Sequence, residues 1–428
     1  MRYEPIGKNF FAANRKKLSK KLKPGSIAVF FANYQMPRNG DQYHPYRQNS
    51  DFFYLTGIEQ EKSILLIAPD APKETKEVLF ILRSNKLLEV WEGHKLTPDE
   101  ASAVSGIATI KLTDDFESVF HSLTGNAEYI YMNVPELPKF NPEVASRDAD
   151  MANKIKNKYP LHRFERSALV MQELRLIKSE TEIALIKKAI HITGIAFERV
   201  LSGVKPGMKE YEIEALIGYE FARHGAAGHA YAPIVAGGKN ACILHYTEND
   251  QECNKGDLVL MDFGAEFANY AADLSRTIPV NGKFTKRQLE LYDACFSVFK
   301  YARSLMVPGA TINSFHKKVC EMWEEEHIKL GLYLKEDIKK HKGDNGLWFD
   351  YYMHGTSHFM GLDVHDPGTK DTKFEPGMVL TCEPGIYIGK EGIGIRIEND
   401  ILITKDGNID LMQDIPIEAE EIESRMNH

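Results

Sequence analysis

"GDLVLMD", residues 256–262, and "GMVLTCE", residues 377–383, are one phrase written twice: a glycine, a mostly apolar run, and an acid six positions on. Each run is strand-sized, with its acid at the end of the apolar segment. The flanks repeat as well. "VKPGMKEYEIEALIGYEF" (204–221) and "MVPGATINSFHKKVCEMW" (306–323) each set a Pro-Gly turn before a helical pattern, and a histidine segment follows both. His245 stands seventeen residues before Asp262, and His365 eighteen before Glu383. A turn, a histidine and an acid in the same order twice imply an internal duplication. The duplicated part is one domain, opened by "KSETEIALIKKAIHITGIAFERVLSG", where Ser179 and Glu182 have the spacing of a capping box.

Polar residues punctuate the strands of both halves. In "DLVLMDFGAEFANYAADLSRTIPV" (257–280), alternation puts Asp262 on a face with Leu258 and Leu260. It also sets Asp273 with Ala271, Ser275 and Thr277 on a returning strand. In "GIGIRIENDILIT" (392–404), Ile393, Ile395 and Ile397 face one way and Arg396, Glu398 and Asp400 the other. Any one acid reads as a turn cap or surface ion pair. Four converging carboxylates on apolar strands would cost several kcal/mol to desolvate and would repel one another. Two divalent cations would supply the missing charge. Four carboxylates with one imidazole form a hard, oxygen-rich set suited to Mn²⁺, with Zn²⁺ or Co²⁺ able to substitute. Paired metals activate water and polarise a carbonyl, so the implied chemistry is hydrolysis.

"MHGTSHFMGLDVHD" (353–366) holds three histidines and two aspartates. His354 and His358 are four apart, yet Gly355 stands where a helical zinc-protease motif needs Glu, which excludes that motif. The segment reads as strand and loop bringing polar groups to a pocket.

The rest of the chain bounds the class. Its 428 residues are 43% hydrophobic and 27% charged, enough for two domains. The first part alternates β-rich runs ("SIAVFFA", "SILLIAP", "EVLFILR", "AEYIYMNV") with helix or loop, as in a small α/β domain. The Pro-bearing "VPELPKFNPE" (134–143) precedes a helix-like run over about 142–158, and the boundary is expected near 160–175. No apolar run is long enough to span a bilayer, so no membrane partner is expected. The basic N-terminus reads as an amphipathic surface helix, with a processed transit peptide as the minor alternative. Five cysteines without a C-x-x-C pair suggest neither a disulfide framework nor a cysteine zinc site, and the cytoplasm fits best. A net charge of -8 gives no pull towards nucleic acid, and "RKKLSKK" and "KEDIKKHKG" read as solvated helix faces.

"ILHYTEN", "GDLVLMDFGAEF", "AADLSRTIPVNGKF", "HGTSHFMGLDVHD", "GMVLTCEPGIYI" and "GIGIRIENDILIT", in that order, resemble aminopeptidase P, a dinuclear-metal Xaa-Pro aminopeptidase. "YRQNSDFFYLTGIEQ" (46–60) resembles that family's N-terminal domain, so the likeness spans nearly the whole chain. The resemblance implies an α/β N-terminal domain over 1–170 and an α+β pita-bread catalytic domain over 171–428. It also implies cleavage of peptides beginning Xaa-Pro, two Mn²⁺ ions, and a homodimer or homotetramer.

By the same resemblance the metal ligands are Asp262, Asp273, His358, Glu383 and Glu398, with Asp273 and Glu398 shared by both metals. Glu383 is also the proton shuttle, and the substrate's free N-terminus binds near Asp262. His245, His354 and His365 line the substrate pocket, Arg396 supports Glu398, and Tyr387 has an orienting part. The "GKE" linker (389–391) is expected to be a tight hairpin. Trp91 resembles a position that reaches a neighbouring subunit, the alternative being a buried core aromatic. Two other activities stay open: an Xaa-Pro dipeptidase (prolidase), and a non-catalytic pita-bread module that binds peptides. The pattern "YRQNSDFFYLTG" favours the aminopeptidase, and the intact ligand set favours a working enzyme.

Overall fold

The computed structural model describes residues 2–136, 143–341, 343 and 345–427. The chain divides into two compact units, Tyr3–Arg175 and Leu176–His428, with Arg2 packed against the second.

The first unit is built on a six-stranded mixed sheet. In chain order its strands are β1 (Ser26–Phe31), β2 (Ile64–Ile67), β3 (Glu77–Ile81), β4 (Thr109–Leu112), β5 (Tyr129–Met132) and β6 (Arg163–Arg166). They lie in the order β4-β3-β2-β1-β5-β6. Every residue of β1 is buried, as for a central strand covered on both faces. Ile27, Val29, Phe31, Leu66, Phe80 and Ile130 share one core cluster with Phe116 and Phe120.

Helix α1 (Lys8–Lys21) carries the first basic cluster, but not all of that cluster is solvated. Arg15 is 1% exposed, bonded to Glu77 Oε2 at 2.9 Å and to the carbonyls of Leu55 and Ser105. Hydrogen bonds to fixed acceptors offset its desolvation. The helix expected over 142–158 runs Arg147–Lys158, opened by Ser146, whose hydroxyl accepts from Ala149 N. Most of the Pro-bearing stretch before it falls outside the described residues. Trp91 lies on α2 (Lys86–Glu92) and is 81% exposed, so it is not a core aromatic.

The second unit carries the duplication. Helices α3 (Glu180–Gly203) and α4 (Glu210–Arg223) pack together, as do α5 (Lys286–Leu305) and α6 (Ile312–Lys329). The capping box at α3 forms as read, with Ser179 N bonded to Glu182 Oε2 at 2.8 Å. The Pro-Gly turns match in backbone, Gly207 and Gly309 having φ of 90° and 85°, and so do the glycines that open the acid-bearing strands, Gly256 and Gly377, at 94° and 95°. These left-handed conformations admit glycine with little strain, which explains why glycines recur at equivalent places.

In the first half, β7 (Ile234–Gly237), β8 (Leu258–Phe263), β9 (Ala265–Phe267), β10 (Tyr270–Ala271) and β11 (Leu274–Pro279) follow one another, and β8 lies between β7 and β11. In the second come β12 (Val379–Cys382), β13 (Gly385–Ile388), β14 (Ile393–Arg396), β15 (Asn399–Thr404) and β16 (Gly407–Asp410), with β15 between β12 and β16. All these pairings are antiparallel.

Two strands read as continuous are broken at their acids. The run expected through Ala271, Asp273 and Thr277 divides into β10 and β11, leaving Asp273 between them. The run 392–404 divides into β14 and β15 at Ile397–Glu398; β14 pairs with β13 and β15 with β12. At that break Glu398 forms an isolated bridge to Ser275, tying the two halves together. The β13–β14 connection is a tight hairpin with Gly392 at φ 65°.

Candidate metal centre

Asp262 sits in β8 opposite Ile234 and Ser275 of the neighbouring strands. Asp273 reaches the same point because Gly264 lets two backbone segments touch. A Cβ at position 264 would lie 1.7 Å from Ala272 O, so only glycine fits without displacing the residue next to Asp273. Glu383 follows β12, with its N–H donating to Thr356 O at 2.9 Å. Glu398 arrives through the bridge to Ser275, whose hydroxyl donates to Glu398 Oε2 at 2.6 Å.

His358 comes from the 353–366 loop, which forms neither helix nor ladder. Its one bridge, Phe359 to Leu380, sets it against β12. His358 Nε2 is 3.3 Å from Asp273 Oδ2 and 3.8 Å from Glu383 Oε1. Asp273, His358 and Glu398 each offer a ligand atom within 4.8 Å of the others. All five expected ligands line one pocket of about 290 Å³, together with His245, His354, His365 and Arg396.

The electrostatics of the cluster ask for a cation. Burial, then Asp273, Glu383 and Asp262, raise the Glu398 carboxyl well above its ordinary range. Asp273 is raised by burial, against the pull of His358, and by Asp262. Glu383 is pushed up to about 7, chiefly by burial. Burial alone would lower the His358 imidazolium, but Asp273 and Glu383 outweigh it and lift the group to about 9. His358 Nδ1 donates to Phe359 O at 3.1 Å, which turns Nε2 towards the carboxylates. Between that nitrogen and Asp273 there must be positive charge, either a proton or a metal. The donor set therefore fits divalent cations.

Arg396 is placed differently from its expectation. Its Nη2 donates to Asp262 Oδ2 at 2.6 Å, while its Nε donates to Ser275 Oγ at 2.9 Å. The break after β14 takes Glu398 to Ser275, so Arg396 is hydrogen-bonded to Glu398 through that hydroxyl, while its charge still interacts with that carboxylate. Arg396 Nη1 also donates to Tyr387 Oη at 2.8 Å, and Tyr387 Oη lies 2.8 Å from His354 Nε2. Because His354 Nδ1 faces Gly355 O at 2.8 Å, it carries the proton, and Nε2 accepts from Tyr387. Burial drives the His354 imidazolium down to about 3, so the ring is neutral. Both of its nitrogens are engaged within the protein. His365 packs edge-on against His358, with centroids 4.4 Å apart.

Tyr231 was not foreseen. Its Oη lies 2.6 Å from Asp262 Oδ1 and 2.5 Å from Asp273 Oδ1. Its one proton binds one of the two at a time. Asp400, fully buried, accepts from Asp273 N at 3.2 Å and fixes the turn that presents that acid. The only local signal for Tyr231 is a phenol in an Ala/Gly-rich stretch, "HGAAGHAYAPIVAGG", leading into a buried strand.

The family model described as metallopeptidase family M24 matches residues 184–405, and that described as aminopeptidase P, N-terminal domain, matches residues 11–131. The chain is 37% identical to a Haemophilus influenzae protein named Xaa-Pro aminopeptidase, over 99% of this chain and 98% of the relative. It is 36% identical to the Escherichia coli protein of the same name, over 98% of each. The solved structure of zinc-substituted Escherichia coli aminopeptidase P in complex with product superimposes with a TM-score of 0.88 at 35% identity, covering 99% of both chains.

Proposed function

We infer that the chain, which belongs to metallopeptidase family M24, is an Xaa-Pro aminopeptidase with an N-terminal α/β domain (1–170) and a pita-bread catalytic domain (171–428). It hydrolyses the bond before a proline in second position and releases the first residue. The observation that carries this reading is the convergence of four acids and His358 on one pocket, in a chain that matches aminopeptidases from end to end.

Asp262, Asp273, His358, Glu383 and Glu398 would hold two divalent cations. The hardness of the donor set favours Mn²⁺, with Zn²⁺ or Co²⁺ as substitutes. When bound, such ions supply the charge these carboxylates need and the Lewis acidity that activates water and polarises a carbonyl.

The chain's own groups do the rest. Glu383 takes the proton of the attacking water at a carboxylate oxygen and delivers it to the departing proline nitrogen. His245 and His365 face the substrate and donate to the developing oxyanion or hold the proline end. His354, with both nitrogens engaged, offers the substrate its ring. Arg396 fixes Asp262, beside which the substrate's amino group binds, and through Ser275 it also steadies Glu398. Five free thiols support a reducing compartment, the cytoplasm. The resemblance to oligomeric relatives supports a homodimer or homotetramer.

The test is to give Mn²⁺-loaded protein an Xaa-Pro-Yaa tripeptide, an Xaa-Pro dipeptide and an Xaa-Ala-Yaa control, and to identify products by mass spectrometry. Release of the first residue from the proline tripeptide alone is the expected result. Cleavage confined to the dipeptide would make the protein a prolidase, and no cleavage would leave a peptide-binding module.

A further inference from the structure

The segment that carries His245 has almost no secondary structure of its own. After β7 it makes one turn of 3₁₀ helix (Gly238–Cys242) and then runs irregularly to Gln251. His245 is exposed on it and lines the pocket. A side chain that must act within a fraction of an ångström needs a better anchor than such a loop provides.

The anchor is a carboxylate at the start of α4. Glu210 is fully buried and accepts four hydrogen bonds, one from the last residue of β7 and three from this segment. Its Oε1 takes Gly237 N at 2.7 Å and Asn240 Nδ2 at 3.0 Å. Its Oε2 takes Tyr246 Oη at 2.8 Å and Gln251 N at 2.9 Å. Glu210 N in turn donates to Gln251 O at 2.9 Å. One turn along the helix, Glu214 Oε2 accepts from Asn249 Nδ2 at 2.8 Å, and Asn249 Oδ1 receives Val235 N at 2.9 Å. Tyr246 is buried among Ile234, Ala236, Ala241, Leu260 and Tyr387. The residue beside His245 is therefore pinned by both packing and a hydrogen bond, while His245 itself faces the pocket.

A glutamate side chain is an expensive group to bury where nothing but a helix start requires it. Its four donors all lie between Gly237, the end of β7, and Gln251, so both ends of the segment bearing His245 are tied to it. We propose that Glu210 is a positioning residue for the peptidase reaction, holding His245 at the substrate through Tyr246 and the loop backbone. This rests on the reading of the pocket as a peptidase site in which His245 contacts substrate. Glutamine cannot replace glutamate here, because its amide NH₂ would face N–H and O–H donors.

The experiment is a double-mutant cycle on the Mn²⁺-loaded protein with an Xaa-Pro-Yaa tripeptide, with metal content measured for every variant. Glu210→Gln is expected to lower kcat/KM by roughly 10- to 100-fold, the scale of an ångström-sized misplacement, with metal content equal to the parent's. His245→Ala is expected to lower it too, and adding Glu210→Gln to His245→Ala should cost less than about threefold more, as for residues that act as a unit. Tyr246→Phe removes one of the four bonds, and its smaller loss should vanish in the same way in the His245→Ala background. It decides the question alone if Glu210→Gln does not fold. Losses that multiply undiminished in the His245→Ala background would overturn the role of Glu210 while leaving His245 catalytic. A His245→Ala enzyme as fast as the parent would overturn the reading of His245, and this inference with it.

Discussion

Tyr231 shows how one hydroxyl can serve two acids. Its one proton can be given to either Asp262 or Asp273, and its oxygen lies within hydrogen-bond distance of both, so the same group holds both carboxylates towards the pocket. Tyr231→Phe should weaken divalent-cation binding roughly 10- to 100-fold, the usual scale for removing a group that orients a ligand. Titration of stripped protein with Mn²⁺ measures this, and an unchanged affinity would remove the role. Glu383 is expected to behave differently. Glu383→Gln should lower kcat roughly 10²- to 10⁴-fold, the contribution typical of general acid–base catalysis, with KM changed only a few-fold. Equal kcat for variant and parent would show that Glu383 carries no proton. The four acids and His245 with His365 stood out because type and spacing repeat between the halves, whereas His354 and His358 drew notice from the density of their segment, and the roles of all of them came from the family resemblance. Tyr231 did not stand out, and Ser275 and Asp400 were placed on their strand faces without a role, because a hydroxyl or a buried acid acquires its role only from which backbone it meets in space.

Among the elements, period-2 alternation located the strands well and their ends poorly. Both failures lie where an acid reaches the pocket: a strand must leave its ladder to present Asp273 or Glu398, and alternation carries no mark of that departure. The expected partnership of Arg396 with Glu398 holds as a charge interaction and a link through Ser275, but its direct hydrogen bond to Asp262 was missed for the same reason. Gly264 is the element-level feature that makes the site, by letting β8 and the segment before β11 come into contact. Gly264→Ala must push Ala272 aside. It should cost about 1–3 kcal/mol of stability, the range for overpacking, and lower both Mn²⁺ content and kcat/KM. Full metal content together with full activity would contradict this account of how Asp273 is placed.

For the whole molecule, stability should depend on pH and on metal in ways the burial pattern sets. His327 is fully buried, stacks on Trp323 with centroids 5.1 Å apart, and is driven by burial to about 3. Its folded value lies below the ordinary 6.5, so between these two the unfolded chain binds the proton and the folded chain does not. The contribution of neutral His327 is complete above about pH 6.5 and is lost as pH falls towards 3, by up to about 1.4 kcal/mol per pH unit. His327→Phe keeps the ring and removes the titration. Urea unfolding at pH 7.5 and 5 should then show a smaller acid loss than in the parent, and an identical loss would assign the effect elsewhere. Chelation should lower Tm, because ions bound only by the folded state stabilise it by mass action. An unchanged Tm after verified metal removal would argue against a folded-state site.

The bridge between Ser275 and Glu398 also sets a timetable. Asp273 and Glu398 are 125 residues apart in the chain, an interval that takes roughly 6–25 s to synthesise at about 5–20 residues per second. A ribosome must therefore add those 125 residues after Asp273 before Glu398 can meet it. Throughout that interval the growing chain carries an unfinished protease among other nascent peptides. The order in which the residues are written thus delays the activity until Glu398 has been made.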